Sequence, residues 1–177
     1  MNLTEKQLKK IYKFKGNILN VRQDEVEAAD GQIVTREVIE HNGGVSIVAV
    51  TDNNEVLLVN QFRYPIMQEI VEIPAGKLEI GEDPLFCAKR ELLEETGYTA
   101  ESFVLLDKMF PSPGCSAEVH YIYKATGLTF VKQQLDEGEF LDVIKMPLNE
   151  AYEKVLSGEF ADGKTQVGLL RLFAKNA

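Results

Sequence analysis

The run Val45–Thr51, VSIVAVT, is apolar and β-branched, and it is too short to cross a bilayer. It reads as a buried strand. Turn residues punctuate it on both sides, with Asn42-Gly43-Gly44 before it and Asp52-Asn53-Asn54 after it. Ile18–Gln23, Asp24–Ala29 and Gln32–Glu40 are expected as further strands, and the turn at Ala29-Asp30-Gly31 is a hairpin signal. Glu55–Arg63, Gln68–Ile73, Phe103–Phe110, Val119–Ala125 and residues 140–145 extend the series. Helices are expected over Pro84–Thr96, from Pro147 onward and over Thr165–Lys175, while residues 3–13 read as a short amphipathic helix or turn. Strands outnumber helices until the last quarter, and they do not alternate regularly with them. The expectation is an α+β chain, an α/β/α sandwich around a mixed sheet rather than a doubly wound fold. A polar hairpin region yields to a more hydrophobic body near Asn42–Gly44, which divides the chain into an N-terminal β subdomain, 1–42, and a main domain, 43–177.

The bulk properties narrow the function. A chain of 177 residues, 45% hydrophobic, can bury a full core and carry a small appended subdomain. A net charge of −9 argues against nucleic acid as a partner. It suits a phosphorylated substrate whose charge is met by cations. Cys87 and Cys115 have neither disulfide nor metal-site spacing. The N-terminus, MNLTEKQLKKIYKFKG, lacks the apolar core of a signal peptide, so a soluble cytoplasmic protein with no membrane partner is expected.

The helix over Pro84–Thr96 carries the chemistry. Asp83 can cap it, Pro84 suits its first turn, and Gly97 is a natural stop. Leu85, Ala88, Leu92 and Thr96 share the side that packs on a sheet. Glu91, Glu94 and Glu95 stand at i, i+3 and i+4 on another face, close to the C-terminal end. There they repel one another and oppose the helix dipole. A divalent cation among them reverses that penalty, and hard carboxylate oxygens select Mg²⁺, Mn²⁺ or Ca²⁺ over zinc. On spacing alone, a cation site and a solvated acidic face both fit.

The surrounding residues go further. Gly76, five residues, Glu82, seven residues, Arg90-Glu91-Leu92, one residue, Glu94-Glu95, one residue, Gly97-Tyr98 matches every fixed position of the Nudix box. The chain therefore resembles the Nudix hydrolases. Their pattern implies Glu91 and Glu95 as the main Mg²⁺ ligands, with Mn²⁺ as a substitute, joined by Glu94 and by the carbonyl of Ala75. Gly76 would let the backbone turn so that this carbonyl faces the metal. Glu82 and Arg90 would fasten the loop to the helix, and Gly97 would end it.

Beyond the box, TREVIEHNGG (35–44), VNQFRYP (59–65), FPSPGCSAE (110–118) and LDEGEF (135–140) are similar to the ADP-ribose pyrophosphatase branch. Pro113 stands sixteen residues after Gly97, as in that branch. The resemblance implies Mg²⁺-dependent hydrolysis of a nucleoside diphosphate derivative, ADP-ribose, to AMP and ribose 5-phosphate, by a homodimer with exchanged N-terminal strands. Arg36 and Glu37 would reach the partner's substrate. Arg63 and Lys77 would meet the diphosphate end, and Gly114 and Glu118 the ribose end. Glu139, with Glu137 as second choice, would supply a general base or an extra metal ligand. Read without the resemblance, Arg36 and Glu37 are ordinary hairpin polar residues, Arg63 is equally a surface charge or a guanidinium aimed at a diphosphate, and Ser112-Pro113-Gly114 is first of all a turn. Tyr12, Phe14 and neither of them remain open as the adenine-stacking group. GDP-sugars or dinucleotides are the alternative substrates.

Overall fold

The structure is a computed structural model that describes residues 3–176. The chain divides into two compact units, Met1–Gly43 with Phe110–Val119, and Gly44–Met109 with His120–Ala177. The segment Phe110–Val119 thus groups with the N-terminal residues, although the sequence reading left it in the main domain.

The first unit is an antiparallel sheet in the order β1 (Lys6–Lys15), β2 (Asn20–Glu27), β3 (Ile33–Glu40). The expected helix or turn over residues 3–13 is therefore corrected to a strand. Ile11, Tyr12 and Phe14 favour extended backbone, β2 pairs with this segment along its length, and an isolated helix so short is marginal because its nucleation is costly. The two segments expected before the hairpin are one strand, with Asp24 at its centre and only 3% exposed. The hairpin itself forms, closed by Gly31 N–H on Ala28 O at 2.9 Å and by the Asp30 carboxylate on Gln32 N–H at 3.0 Å.

The second unit holds two sheets and three helices. The smaller sheet runs β10 (Leu141–Pro147), β5 (Glu55–Arg63), β6 (Gln68–Glu72), all antiparallel. The larger runs β7 (Ala75–Lys77), β4 (Gly44–Ala49), β9 (His120–Phe130), β8 (Tyr98–Met109). It is mixed, because β4 pairs parallel to β9 while the outer pairs are antiparallel. β8 starts at Tyr98, directly after the helix stop, five residues before the apolar stretch that announced it.

Every residue of β4 is buried, as an unbroken apolar run requires when both faces are covered. Val45, Ile47 and Ala49 pack with Leu57 and with Cys87, Ala88 and Leu92 of α1 (Pro84–Thr96). Val48 and Val50 pack on the other side with Leu58, Ile73 and Ile122. There they meet Leu148 and Ala151 of α2 (Leu148–Leu156) and Leu169 and Leu172 of α3 (Gly163–Asn176). This is the expected α/β/α layering. Each such side chain contributes roughly 1.5–3 kcal/mol on burial, so the two faces of β4 account for much of the drive to fold. Among the described residues no helix is long and apolar enough to cross a membrane.

α3 comes unusually close to the sheet at Gly168. A β-carbon there would lie 2.9 Å from Val48 Cγ2 and 3.1 Å from Ile73 Cδ1. Gly168→Val should therefore destabilise the protein by about 1–3 kcal/mol through overpacking, read from urea unfolding.

Candidate active site

α1 is set by its ends. Asp83 is the N-cap, and its Oδ1 accepts from Leu85 N–H at 2.9 Å and Phe86 N–H at 3.0 Å, with Pro84 in the first turn. At the other end Gly97 has φ 77°, and its N–H bonds Leu93 O at 2.8 Å. A side chain there would also press on Gln133 N at 2.7 Å. The final carbonyls are satisfied by the segment after β9: Gln134 N–H on Glu94 O at 3.1 Å, Val131 N–H on Gly97 O at 2.8 Å, and Gln133 Nε2 on Glu95 O at 2.6 Å. The helix can therefore end on acidic residues without basic ones to cap it.

The buried side of α1 carries Leu92 and Thr96, with Leu85 partly packed, and it also takes in Glu95, which is 2% exposed. Its Oε2 accepts Ala75 N–H at 2.9 Å. Burial pushes this carboxyl up to about 8; the Ala75 N–H opposes the shift, and the charges of Glu91 and Glu139 add to it. Burial likewise pushes Glu91 up to about 7, against the pull of Arg90 and with the push of Glu94 and Glu139.

Gly76 answers to this arrangement differently from the expectation. Its φ is not in the left-handed region, so no special turn requires a glycine. The requirement is space, since a β-carbon at Gly76 would overlap the carboxylate of Glu91. β7 and α1 approach so closely because that one side chain is missing.

Arg90 is the fastener of the loop. Nε and Nη2 bond the two oxygens of Glu82 at 3.1 and 3.2 Å, and Nη2 reaches Lys77 O at 3.3 Å. Nη1 takes Glu94 Oε2 at 2.8 Å and Glu91 Oε1 at 2.9 Å. The guanidinium thus spans the loop and three carboxylates. Cys87, buried beneath it, has its thiol pushed up to about 12 by burial and stays protonated.

Glu139 and Glu137 occupy different surroundings. Glu139 N–H closes a turn on Asp136 O at 3.1 Å, and its side chain is half-buried, whereas Glu137 is exposed. The charge of Glu139 raises both Glu91 and Glu95.

Among the described residues, no three His, Cys, Asp or Glu side chains stand ready-made to hold an ion. Glu94 is turned to Arg90, and Arg90 also draws on Glu91. The donors nevertheless fit a divalent cation. Glu91, Glu95 and Glu139 offer hard oxygens whose mutual repulsion is only partly offset by Arg90, Arg63 and Ala75 N–H, and the missing side chain at Gly76 lets the Glu91 carboxylate lie against β7.

The remaining residues singled out from sequence separate by unit. In the second, Lys77 is exposed, and Arg63 bonds Glu72 Oε1 through Nε at 2.7 Å. In the first, Arg36 is held by Glu5 at 2.5 and 3.1 Å, and Glu37 is exposed beside it on β3. Gly114 lies in the turn closed by Cys115 N–H on Ser112 O at 3.2 Å, and Glu118 N–H bonds Ser116 Oγ at 3.1 Å.

Sequence reasoning missed the group behind Arg63. Glu72 is fully buried, and its second oxygen bonds Lys164 Nζ. Lys164 also bonds Asp162 at 2.8 Å. The other oxygen of Asp162 takes Thr165 N–H at 2.8 Å and Thr165 Oγ1 at 2.6 Å, and Thr165 Oγ1 accepts Ile73 N–H at 2.9 Å. Residues 72–75 are thereby clamped from the start of α3 on one side and from Glu95 on the other. The only trace in the sequence is ADGKT, residues 161–165, which looks like a turn before a helix.

Two outcomes are expected. Lys164→Met leaves Glu72 buried with half its counter-charge and should cost about 3 kcal/mol in urea unfolding. Glu91 and Glu95 keep protons in the folded chain that the unfolded chain sheds above the ordinary value of 4.5. Their contribution is thus fully favourable at low pH, declines from about pH 4.5, and is lost by about pH 8. Thermal melts in EDTA should show that decline, and Glu95→Gln should flatten it.

Comparison with known proteins agrees with this geometry. Residues 40–165 match the NUDIX domain, and residues 5–39 match the nucleoside diphosphate sugar hydrolase N-terminal domain. The chain is 40% identical to an ADP-ribose pyrophosphatase of Bacillus subtilis, over 99% of this chain and 96% of that one. It is also 40% identical to a methanol dehydrogenase activator of Bacillus methanolicus, over 98% and 95%. A solved structure described as an ADP compounds hydrolase superposes with a TM-score of 0.83 at 22% identity, covering 99% of this chain and 97% of that one, and shows the shared fold. With the full box on α1 and its loop, and with the family match across both sheets, the chain belongs to the Nudix hydrolases.

Proposed function

We propose that the protein hydrolyses ADP-ribose to AMP and ribose 5-phosphate with Mg²⁺, as a cytoplasmic homodimer. The observation that carries the chemistry is the pair Glu91, half-buried, and Glu95, buried, on one helix, both raised towards neutrality and both under the charge of Glu139. Glu91 and Glu95, with the Ala75 carbonyl, would hold the cation; Glu94 would join through its outer oxygen. Divalent ions supply positive charge to the diphosphate oxygens and acidify an attacking water.

The protein's own groups do the rest. Arg63, fixed through Nε by Glu72, has its Nη groups to offer to the diphosphate, and exposed Lys77 adds a second cation. Glu139 accepts the proton of the attacking water as its oxygen adds to phosphorus and the bridging P–O bond breaks. The loop that bears Glu139 is anchored to α1 only up to Gln134, which leaves it able to close on substrate. Arg36, Glu37, Gly114 and Glu118 are assigned to the sugar ends of the substrate, the first two acting across the dimer. The homodimer is supported by β1, which is exposed along nearly its whole length and carries Leu8, Tyr12 and Phe14 in the open.

ADP-ribose is favoured by the Bacillus subtilis relative, which matches over nearly the full length. The N-terminal match names nucleoside diphosphate sugars in general, so GDP-sugars are the second reading.

Chromatography after incubation with Mg²⁺ and a substrate panel should show AMP and ribose 5-phosphate, with ADP-ribose giving the highest kcat/KM. A GDP-sugar in first place would replace the substrate reading. Glu95→Gln should lower kcat by about a thousandfold or more with the fold intact. Glu139→Gln should cost more in kcat, about 10²–10⁴-fold, than Glu137→Gln. The reverse order would move the base to Glu137.

A further inference from the structure

Gln61 is 8% exposed, and its Nε2 is wholly buried with no hydrogen-bond partner among the described residues. An unmade bond of this kind costs about 1–3 kcal/mol, and a leucine or methionine of similar shape would avoid it. The penalty needs an explanation, and the position supplies one.

Gln61 lies on β5, where side chains alternate between the two faces. Val56 and Leu58 belong to the core on the side of α2 and α3, whereas Leu57 belongs to the core packed on α1. Gln61 and Arg63 share the face of Leu57, which is the face that looks towards α1. Across the sheet Gln61 pairs with Leu141 of β10, two residues after Glu139, and with Ile70 of β6, two residues before Glu72. Arg63, two residues on, acts electrostatically on Glu95, and its one hydrogen bond among the described residues is from Nε to Glu72. One strand thus presents two neighbouring sets of uncommitted donors, the amide of Gln61 and the Nη groups of Arg63, on the side of the α1 carboxylates. Donors grouped in that way suit an acceptor with several anionic oxygens.

We infer that Gln61 is a substrate-contacting residue whose carboxamide donates to an oxygen of the diphosphate beside Arg63. The inference rests on the reading of this site as a nucleoside diphosphate hydrolase. It adds that the buried donor is held unsatisfied in the free protein so that the substrate can satisfy it.

The test is steady-state kinetics on ADP-ribose with Mg²⁺, together with thermal melts, for Gln61→Met and Gln61→Glu. Gln61→Met should melt at the same temperature or higher, yet raise KM about tenfold, as loss of a hydrogen bond to a charged group implies. Gln61→Glu sets a negative charge against the diphosphate and should raise KM further. Wild-type KM and kcat in Gln61→Met would overturn the inference and leave Gln61 a purely structural residue. If that variant does not fold, Gln61→Asn is read in the same way. A wild-type protein that prefers another diphosphate overturns only the choice of ADP-ribose, and the Gln61 comparison then runs on the preferred compound. A wild-type protein inactive on every diphosphate of the panel overturns both.

Discussion

Glu95 is an ionisable side chain almost wholly removed from water, at the end of a helix whose dipole repels it. Much of the second unit can be understood as accommodation to that placement. Ala75 N–H gives it one hydrogen bond, Arg63 a distant opposite charge, and the raised affinity for a proton supplies the remainder. A stable fold has no need of such a group. A cation site of the kind proposed does, because repulsion in the free state becomes attraction when positive charge arrives.

That arrangement works only if the backbone opposite α1 cannot drift. The segment from Glu72 to Gly76 is held at both ends of its width. Glu72 is locked between Arg63 and Lys164, Ile73 N–H is bonded to Thr165, and Ala75 N–H to Glu95. Gly76 then permits the Glu91 carboxylate to lie where a β-carbon would be. The buried ion pairs add little net stability in themselves, since desolvation offsets most of their attraction. Their consequence is positional: losing one partner strands a charge, so the geometry around it is close to all-or-none.

α1 was legible to the residue, because Asp83, Pro84 and Gly97 act on the chain within a few residues of themselves. β5 was legible for the same reason, with its turn residues adjacent. β1 was not. Its lysine-rich, mostly exposed sequence has no inward face to reveal a period, and it becomes a strand through pairing with β2. The early start of β8 was hidden likewise, since Thr99, Glu101 and Ser102 look like loop residues until β9 lies alongside them. The close approach of Gly76 to Glu91 was not legible, because contact between distant segments leaves no local mark.

The sequence by itself determined the helix with its three glutamates, the apolar strand at the centre of the layers, and the family to which the box belongs. Local propensity, capping and spacing act over short stretches, and they survive being read one residue at a time. Only the tertiary structure decided which carboxylates are buried, that the charge of Glu139 bears on them, and that Glu72, Lys164 and Thr165 brace the strand. Burial and charge coupling depend on distances between residues far apart in the chain, and these exist only once the layers have closed.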